Sequence, residues 1–312
     1  MLNVAAHEDI AMNLVITGAS GFIGSTLVEQ LCSEGHTLML LSRKPPAAKI
    51  LPKKRWLSWQ PGVSGEWEKS IDGADGIIHL AGEPIAGKRW TSAQKEKLRK
   101  SRIETTGALI DALRKARVKP KFLISSSAVG YYGAHGDETI TEDNAPGSGF
   151  LARLCLDWEA EAIKAKDLGV RVALLRTGIV LGKGNGALAK VVPPFKFFVG
   201  GSLGTGKQWF PWIHLSDAVG LVKFLIDNDK AEGPWNVTAP NPVTMAEFCK
   251  ALGKTLNRPA WAPVPAPLLS LMLGEMAQML LTGQRAVPQA ALRLGYHFKF
   301  PNLIRALESL SL

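Results

Sequence analysis

The chain has 312 residues, 46% hydrophobic and 21% charged, enough to bury a sizeable core in one large domain or a domain plus a smaller lobe. Its net charge of +10 comes from dispersed basic residues without a nucleic-acid-binding motif, so nucleic acid is not an expected partner. No apolar run is long enough to span a bilayer; the richest, 268–281, is interrupted by Glu275 and Gln278, and no membrane partner is expected.

Residues 1–11 carry His7, Glu8 and Asp9 and no apolar stretch of the signal-peptide kind, and Met12 directly precedes the first strand, so they read as an extension. Three cysteines, Cys32, Cys155 and Cys249, form no CxxC pair and suit free thiols in a reducing, cytoplasmic compartment.

Residues 13–17 (NLVIT) are a short apolar, β-branched run. The glycine turn 18–24 (GASGFIG) follows, and then Leu27, Val28 and Leu31 at helical spacing. Strand, glycine turn and helix in this order make a cradle for a dinucleotide pyrophosphate, held by backbone N–H groups at the positive end of a helix. The expected contacts here are Gly18, Ser20, Gly21, Phe22, Ile23 and Gly24. The spacing GxxGxxG and the string TGASGFIG resemble the extended, epimerase/dehydratase branch of the short-chain dehydrogenase/reductase superfamily.

The next strand, 37–41, runs into Ser42, Arg43 and Lys44. An acidic residue here would hold the ribose 2′-OH of NAD; a guanidinium suits the 2′-phosphate of NADP. The reading is therefore NADP, with Ser42, Arg43 and Lys44 as contacts. Residues 52–70, with Trp56, Trp59 and Trp67 among turn residues, read as a short β segment whose aromatics serve packing. Residues 75–82 form a buried strand. Its end, His79-Leu80-Ala81-Gly82-Glu83-Pro84, resembles the superfamily's fourth-strand motif, which implies cofactor contacts at Leu80, Ala81, Gly82 and Glu83. Glu83 reads equally well as a ligand contact and as a solvated loop carboxylate.

A long helix is expected over 88–116, with Ser92 as its cap. Many epimerase-type relatives carry an asparagine near its middle; here 101–106 reads SRIETT instead. The strand 121–127 ends in three serines, and SSSAVGYYG (125–133) resembles the catalytic-serine segment of the superfamily. The resemblance implies that Ser127 is the catalytic serine and Ser125 a cofactor contact.

Ordinary members of the superfamily place a Tyr-xxx-Lys pair about 25 residues further on. In the expected helix, 150–162, Leu151 and Cys155 stand in one register and Phe150 and Leu154 in the next. The chain has three tyrosines, Tyr131, Tyr132 and Tyr296, none of them there. A carbonyl reduced without a proton donor leaves an alkoxide unquenched, and general acid catalysis is worth roughly 10²–10⁴-fold. The substitute donors open to the chain are Tyr131 or Tyr132, Glu83, Cys155 and His214. Ser127, together with Tyr131 and Glu83 from these, forms the expected catalytic set.

Residues 170–177 form a further strand, and the resemblance implies that Thr177, Gly178, Ile179 and Val180 line the nicotinamide side, with Arg176 structural. The stretch 201–208 matches GxxxxGK, but Gln208 replaces the magnesium-binding Ser/Thr and no helix follows, so an ATP loop is set aside in favour of a substrate-facing loop with Lys207 and Gln208. Ser216 is the expected cap of a helix over 217–227. Residues 244–247 read as a capping box opening a helix to 256, and 268–281 as a Leu/Met helix. Together AGEPIAGKRW (81–90), SRIETT (101–106), WEAEA (158–162), RTGIVLGKGNGAL (176–188), WFPWIHLSD (209–217) and 283–303 resemble an atypical epimerase-family branch with a C-terminal domain of unknown function.

The expected architecture is α/β: a Rossmann-type doubly wound parallel sheet with a smaller, mainly helical C-terminal substrate lobe. The expected division is 12–180 for the NADP-binding domain, with 212–238 returning to it, and 181–211 plus 239–312 for the lobe. Two functions fit: an NADP-dependent oxidoreductase or epimerase acting on a small polar or sugar-like molecule, or a catalytically weak NADP-binding regulator. No metal is expected, and the chain is read as a monomer or homodimer.

Overall fold

The computed structural model describes residues 11–46 and 50–312; most of the expected extension, 1–10, lies outside the described residues. Eight strands form one sheet: β1 (Asn13–Thr17), β2 (Thr37–Ser42), β3 (Ile50–Leu51), β4 (Lys54–Ser58), β5 (Gly76–His79), β6 (Phe122–Ala128), β7 (Arg171–Thr177) and β8 (Gly233–Val237). Their spatial order is β8-β7-β6-β5-β1-β2-β4-β3, all parallel except β3 against β4. The chain moves outward from β1 to β2 and β4, then returns to β5 on the other side of β1. This reversal opens a crevice at the carboxyl ends of β1 and β5, where such sheets bind ligands.

Five helices organise the rest: α1 (Phe22–Ser33), α2 (Ser92–Lys115), α3 (Phe150–Ile163), α4 (Leu215–Asp227) and α5 (Met245–Leu256). Period-2 alternation sends successive strand side chains to opposite faces. Leu14, Ile16, Phe122 and Ile124 pack against α1 and α4 residues such as Leu27, Leu31, Val222 and Leu225. Val15, Ile77, Leu123 and Val172 pack against Leu109, Ile110, Leu113 and Ala162 of α2 and α3. Both faces are covered, as a parallel sheet requires. A third cluster, with Phe210, Trp212, Phe248 and Leu252, joins α5 to the C-terminal helix Leu303–Ser309.

Three helix boundaries differ from expectation. Thr91, not Ser92, caps α2 by accepting from the Gln94 N–H. His214, not Ser216, caps α4, because its Nδ1 accepts from the Ser216 N–H at 3.1 Å. The stretch 268–281 is not one helix: Ala266–Leu273 ends at Gly274, whose φ of 61° leaves the helical region, and a 3₁₀ turn and a short helix, Gln278–Leu281, follow. The capping box at Thr244 and Glu247 forms as expected.

Two glycines of the first turn serve the protein itself. Gly18 has φ +71°, and a Cβ there would lie 2.6 Å from the Leu80 carbonyl carbon; one on Gly24 would lie 2.2 Å from the Gly18 oxygen. Gly21, by contrast, caps α1 in an extended conformation (φ −77°), and a Cβ there would meet only the Gly18 oxygen, at 3.1 Å. Gly18→Ala and Gly24→Ala should therefore lower stability by about 2 kcal/mol or more in urea unfolding. Gly21→Ala should stay folded; equal destabilisation by all three would contradict this division of labour.

Candidate functional site

The helix start at Gly21 is open to an anion. The first helical bond runs from the Ser25 N–H to the Gly21 carbonyl, at 2.9 Å, so the N–H groups of Phe22, Ile23 and Gly24 have no acceptor within the helix. Neither a capping side chain nor an acidic residue occupies the first turn. Ser20 and Gly21 are exposed, and Phe22 and Ile23 half-buried. Gly182 and Gly186 lie against the Phe22 ring. These features fit a bound pyrophosphate.

Arg43 and Lys44 leave the end of β2 exposed. Their side chains form no hydrogen bond or ion pair among the described residues, while Ser42 Oγ accepts from the Lys44 N–H at 3.2 Å.

Across β1, the end of β5 is locked. His79 is completely buried between Thr17 and Thr106. Thr17 Oγ1 lies 2.7 Å from its Nδ1, and Thr106 Oγ1 lies 3.0 Å from its Nε2. The proton positions follow from the partners. Trp158 Nε1–H can only donate, and does so to Thr106 Oγ1 at 2.9 Å, while Thr106 spends its own proton on the Arg102 carbonyl at 2.6 Å. Thr106 therefore accepts from His79 Nε2–H, and Thr17 donates to Nδ1 and accepts from the Ala81 N–H at 3.2 Å. Burial holds the imidazole pKa down to about 3, which keeps it neutral.

The loop beyond β5 is held from α2. Leu80 and Ala81 are half-buried and Gly82 is exposed. Ser101 Oγ accepts from the Glu83 N–H at 3.1 Å, and Arg102 donates to the Glu83 carbonyl at 3.0 Å. The Glu83 carboxylate pairs with Lys97 at 3.2 Å.

A second buried network lies below the ends of β6 and β7. The Arg176 guanidinium makes two bonds of 2.9 Å to the Glu159 carboxylate, one from Nε and one from Nη2. It also donates to the Tyr132 hydroxyl at 3.0 Å and the Glu142 carbonyl at 3.1 Å. Burial works against the guanidinium's charge, but the bonds to Glu159 outweigh it and hold the group more firmly protonated than a free arginine. Tyr132 donates in turn to Asn236 Oδ1 at 2.7 Å, and Asn236 Nδ2 donates to the Val287 carbonyl. Removing one partner of such a pair typically costs about 3–5 kcal/mol.

Several expected site residues join this network. Ser127 is 4% exposed and donates its proton to Glu159 Oε1 at 2.6 Å. Tyr131 lays its ring against the Arg176 guanidinium, 3.5 Å from centroid to carbon, and its hydroxyl makes no hydrogen bond among the described residues. Cys155 is buried; burial, then the Glu159 charge, pushes its thiol up to about 11, so it is protonated and inert. Ser125, expected to contact cofactor, is fully buried with no hydrogen-bond partner for its Oγ; strand alternation makes Ser126 the half-exposed residue there. His214 is held by burial, then by Lys299, at about 4, and it ties α4 to Ser309. It is a neutral structural group rather than a proton donor to the crevice.

Thr177 lies at the end of β7, and the Gly178 N–H donates to the Val237 carbonyl. Ile179 and Val180 are half-buried and pair with Trp212 and Ile213. Gln208 donates to the carbonyls of Leu203 and Leu280, so its amide nitrogen serves the lobe itself; Lys207 remains exposed. Arg102, Thr106 and Glu159 were missed as site residues. The signal was present in SRIETT, where polar residues recur at i and i+4 on a helix that otherwise buries leucines.

No group of three or more potential metal ligands occurs among the described residues, and none of their helices is long and apolar enough to cross a membrane.

A doubly wound parallel sheet with an open helix N-terminus at its switch point defines a Rossmann-type nucleotide-binding protein. Residues 14–238 match the model of the NAD dependent epimerase/dehydratase family, and 264–310 match a domain of unknown function, DUF1731. The chain belongs to this epimerase/dehydratase family. It is 40% identical to the chloroplastic epimerase family protein SDR39U1 homolog of Arabidopsis thaliana, over 99% of this chain and 90% of that one. It is also 40% identical to the epimerase family protein YfhF of Bacillus subtilis, over 96% and 98%. The crystal structure of human SDR39U1 with NADPH superposes with a TM-score of 0.88 at 34% identity, covering 96% of this chain and 99% of that one. A nucleoside-diphosphate sugar epimerase from Corynebacterium glutamicum gives 0.79 at 33% identity, covering 97% and 59%.

The buried neutral imidazole makes stability depend on pH. An unfolded histidine takes up a proton near pH 6.5 and His79 near 3, so stability falls as pH drops from 6.5 towards 3, by up to about 1.4 kcal/mol per pH unit. His214 has the same sign and leaves a residual slope. Urea unfolding at pH 7, 6, 5 and 4 should give a shallower acid slope for His79→Gln than for the natural chain. Parallel slopes would show that His79 is not the linked group.

Proposed function

We propose that the chain binds NADP(H) across the carboxyl ends of β1, β2 and β5 and acts as an oxidoreductase or epimerase on a small polar or sugar-like molecule. The observation that carries this reading is the anion-ready start of α1 flanked by Arg43, whose side chain has no partner among the described residues. The NADPH of human SDR39U1 and the substrate class in the name of the Corynebacterium glutamicum protein support it. Phe22, Ile23 and Gly24 offer backbone N–H groups to the pyrophosphate; Arg43 and Lys44 take the 2′-phosphate; Ala81 and Gly82 present bare backbone to the dinucleotide. Bound NADPH supplies a hydride.

The chain's own proton chemistry falls to Tyr131. Its hydroxyl is uncommitted among the described residues, whereas that of Tyr132 is spent on Asn236 and that of Ser127 on Glu159. Arg176 fixes the orientation of the Tyr131 ring. Ser127 keeps lone pairs to accept a hydrogen bond from a substrate hydroxyl, and Glu83 stands at the loop that borders the crevice. One observation favours the regulatory reading instead: α3 presents the inert Cys155 thiol where a lysine would be expected.

Cofactor choice is tested by titrating NADPH and NADH against Arg43→Asp. The variant should lose on the order of 10- to 100-fold in NADPH affinity, as for a hydrogen-bonded charge pair, and much less for NADH. Equal losses for both would remove Arg43 from the 2′-phosphate site.

A further inference from the structure

Arg102 is a half-buried cation that forms no ion pair among the described residues. Its guanidinium is desolvated, and among the described residues no carboxylate lies within ion-pair distance of it; Glu83 is paired with Lys97 instead. The partners it has are neutral: the carbonyl of Leu98 at 3.1 Å, the Ser101 hydroxyl at 3.3 Å and the Glu83 carbonyl at 3.0 Å. The Trp158 ring lies 5.2 Å from its central carbon. Two of its five N–H groups, on Nε and Nη2, have no partner among the described residues. A partly desolvated guanidinium whose hydrogen-bond partners are all neutral, with two donors left over, marks a place where an anionic ligand completes the balance.

Its position says which ligand. The guanidinium lies against Gly82, where an added Cβ would be 3.5 Å from its central carbon. Gly82 directly follows Leu80 and Ala81, the backbone that touches Gly18. Arg102 therefore stands at the β5 side of the glycine turn, and Arg43 at the β2 side. A dinucleotide laid across a switch point puts one nucleoside over each side of the first strand. At the α3 position where a lysine would be expected, Cys155 is a buried, neutral thiol and supplies no charge.

We propose that Arg102 anchors the nicotinamide-nucleotide half of the cofactor, donating to its phosphate and ribose oxygens. The cation of this half-site thus comes from α2 rather than α3. Every acceptor on that half is an oxygen, and a planar guanidinium with two free donors suits adjacent oxygens better than an ammonium does. This inference rests on the NADP(H) reading above.

The test compares two ligands, NADPH and 2′,5′-ADP, which keeps the 2′-phosphate half and lacks the nicotinamide half. Arg102→Met should bind NADPH about 10- to 100-fold more weakly than the natural chain and 2′,5′-ADP equally well. Retained 2′,5′-ADP binding also shows that the variant is folded. Arg102→Lys, which keeps the charge, should recover part of the NADPH affinity and serves as the comparison if Arg102→Met does not fold. An unchanged NADPH affinity, or equal losses for both ligands, would overturn the assignment and leave Arg102 as a brace for the Glu83 loop. Failure of the natural chain to bind either ligand would instead overturn the NADP(H) reading itself.

Discussion

The close contact between the glycine turn and the end of β5 is the constraint on which the rest depends. Gly18 can approach the Leu80–Ala81 backbone only without a side chain. The approach is then fixed from below by Thr17, whose hydroxyl takes the Ala81 N–H and gives its proton to His79. His79 passes the constraint to Thr106 on α2, and Trp158 on α3 closes it. Two strands and two helices thereby agree on one position for the loop that carries Gly82 and Glu83. Every N–H and O–H in this chain of bonds has an acceptor, and a satisfied buried network specifies one arrangement rather than several.

The second network does the same for the ends of β6 and β7. Arg176 and Glu159 are a buried pair, costly to assemble and costly to break, and their value lies in what they position: Ser127, Tyr131 and Tyr132. The C-terminal domain reaches this network directly. Val287 accepts from Asn236, the Gln284 side chain donates to the Gly133 carbonyl, and Arg285–Ala286 pairs with Thr139–Ile140. Residues 283–287 thus brace the segment that follows the serine strand, giving the tail a structural role beside the crevice.

Most of the fold was legible because its signals are local. Residues 13–24 declare strand, turn and helix within a dozen positions, and Thr244 with Glu247 declares a helix start. Boundaries failed where a neighbour in space decided them: His214 outcompetes Ser216 as a cap because its ring is fixed by Ser309 and Phe300. Apolar content alone suggested one helix over 268–281, and the positive φ of Gly274 overrode it. The site was half legible. Backbone cradles follow from glycine spacing, whereas the surroundings of Ser125 and Ser127 come from strand alternation, which buries both and gives Ser127 to Glu159. The polar spacing in SRIETT marked Arg102 and Thr106, but what Arg102 touches, Gly82 and Trp158, is distant in sequence and only the fold brings it near.

The account joins a legible cofactor cradle to chemistry that has moved away from α3. It holds that hydride transfer still occurs, with Tyr131 in place of the absent pair. The most direct measurement follows deuterium from the 4-position of labelled NADPH during incubation with a panel of carbonyl compounds and nucleoside-diphosphate sugars. The account predicts deuterium on carbon in at least one member of the panel, with a rate reduced in Tyr131→Phe. NADPH bound tightly with no transfer to any compound would contradict it and leave the chain as a cofactor-sensing regulator.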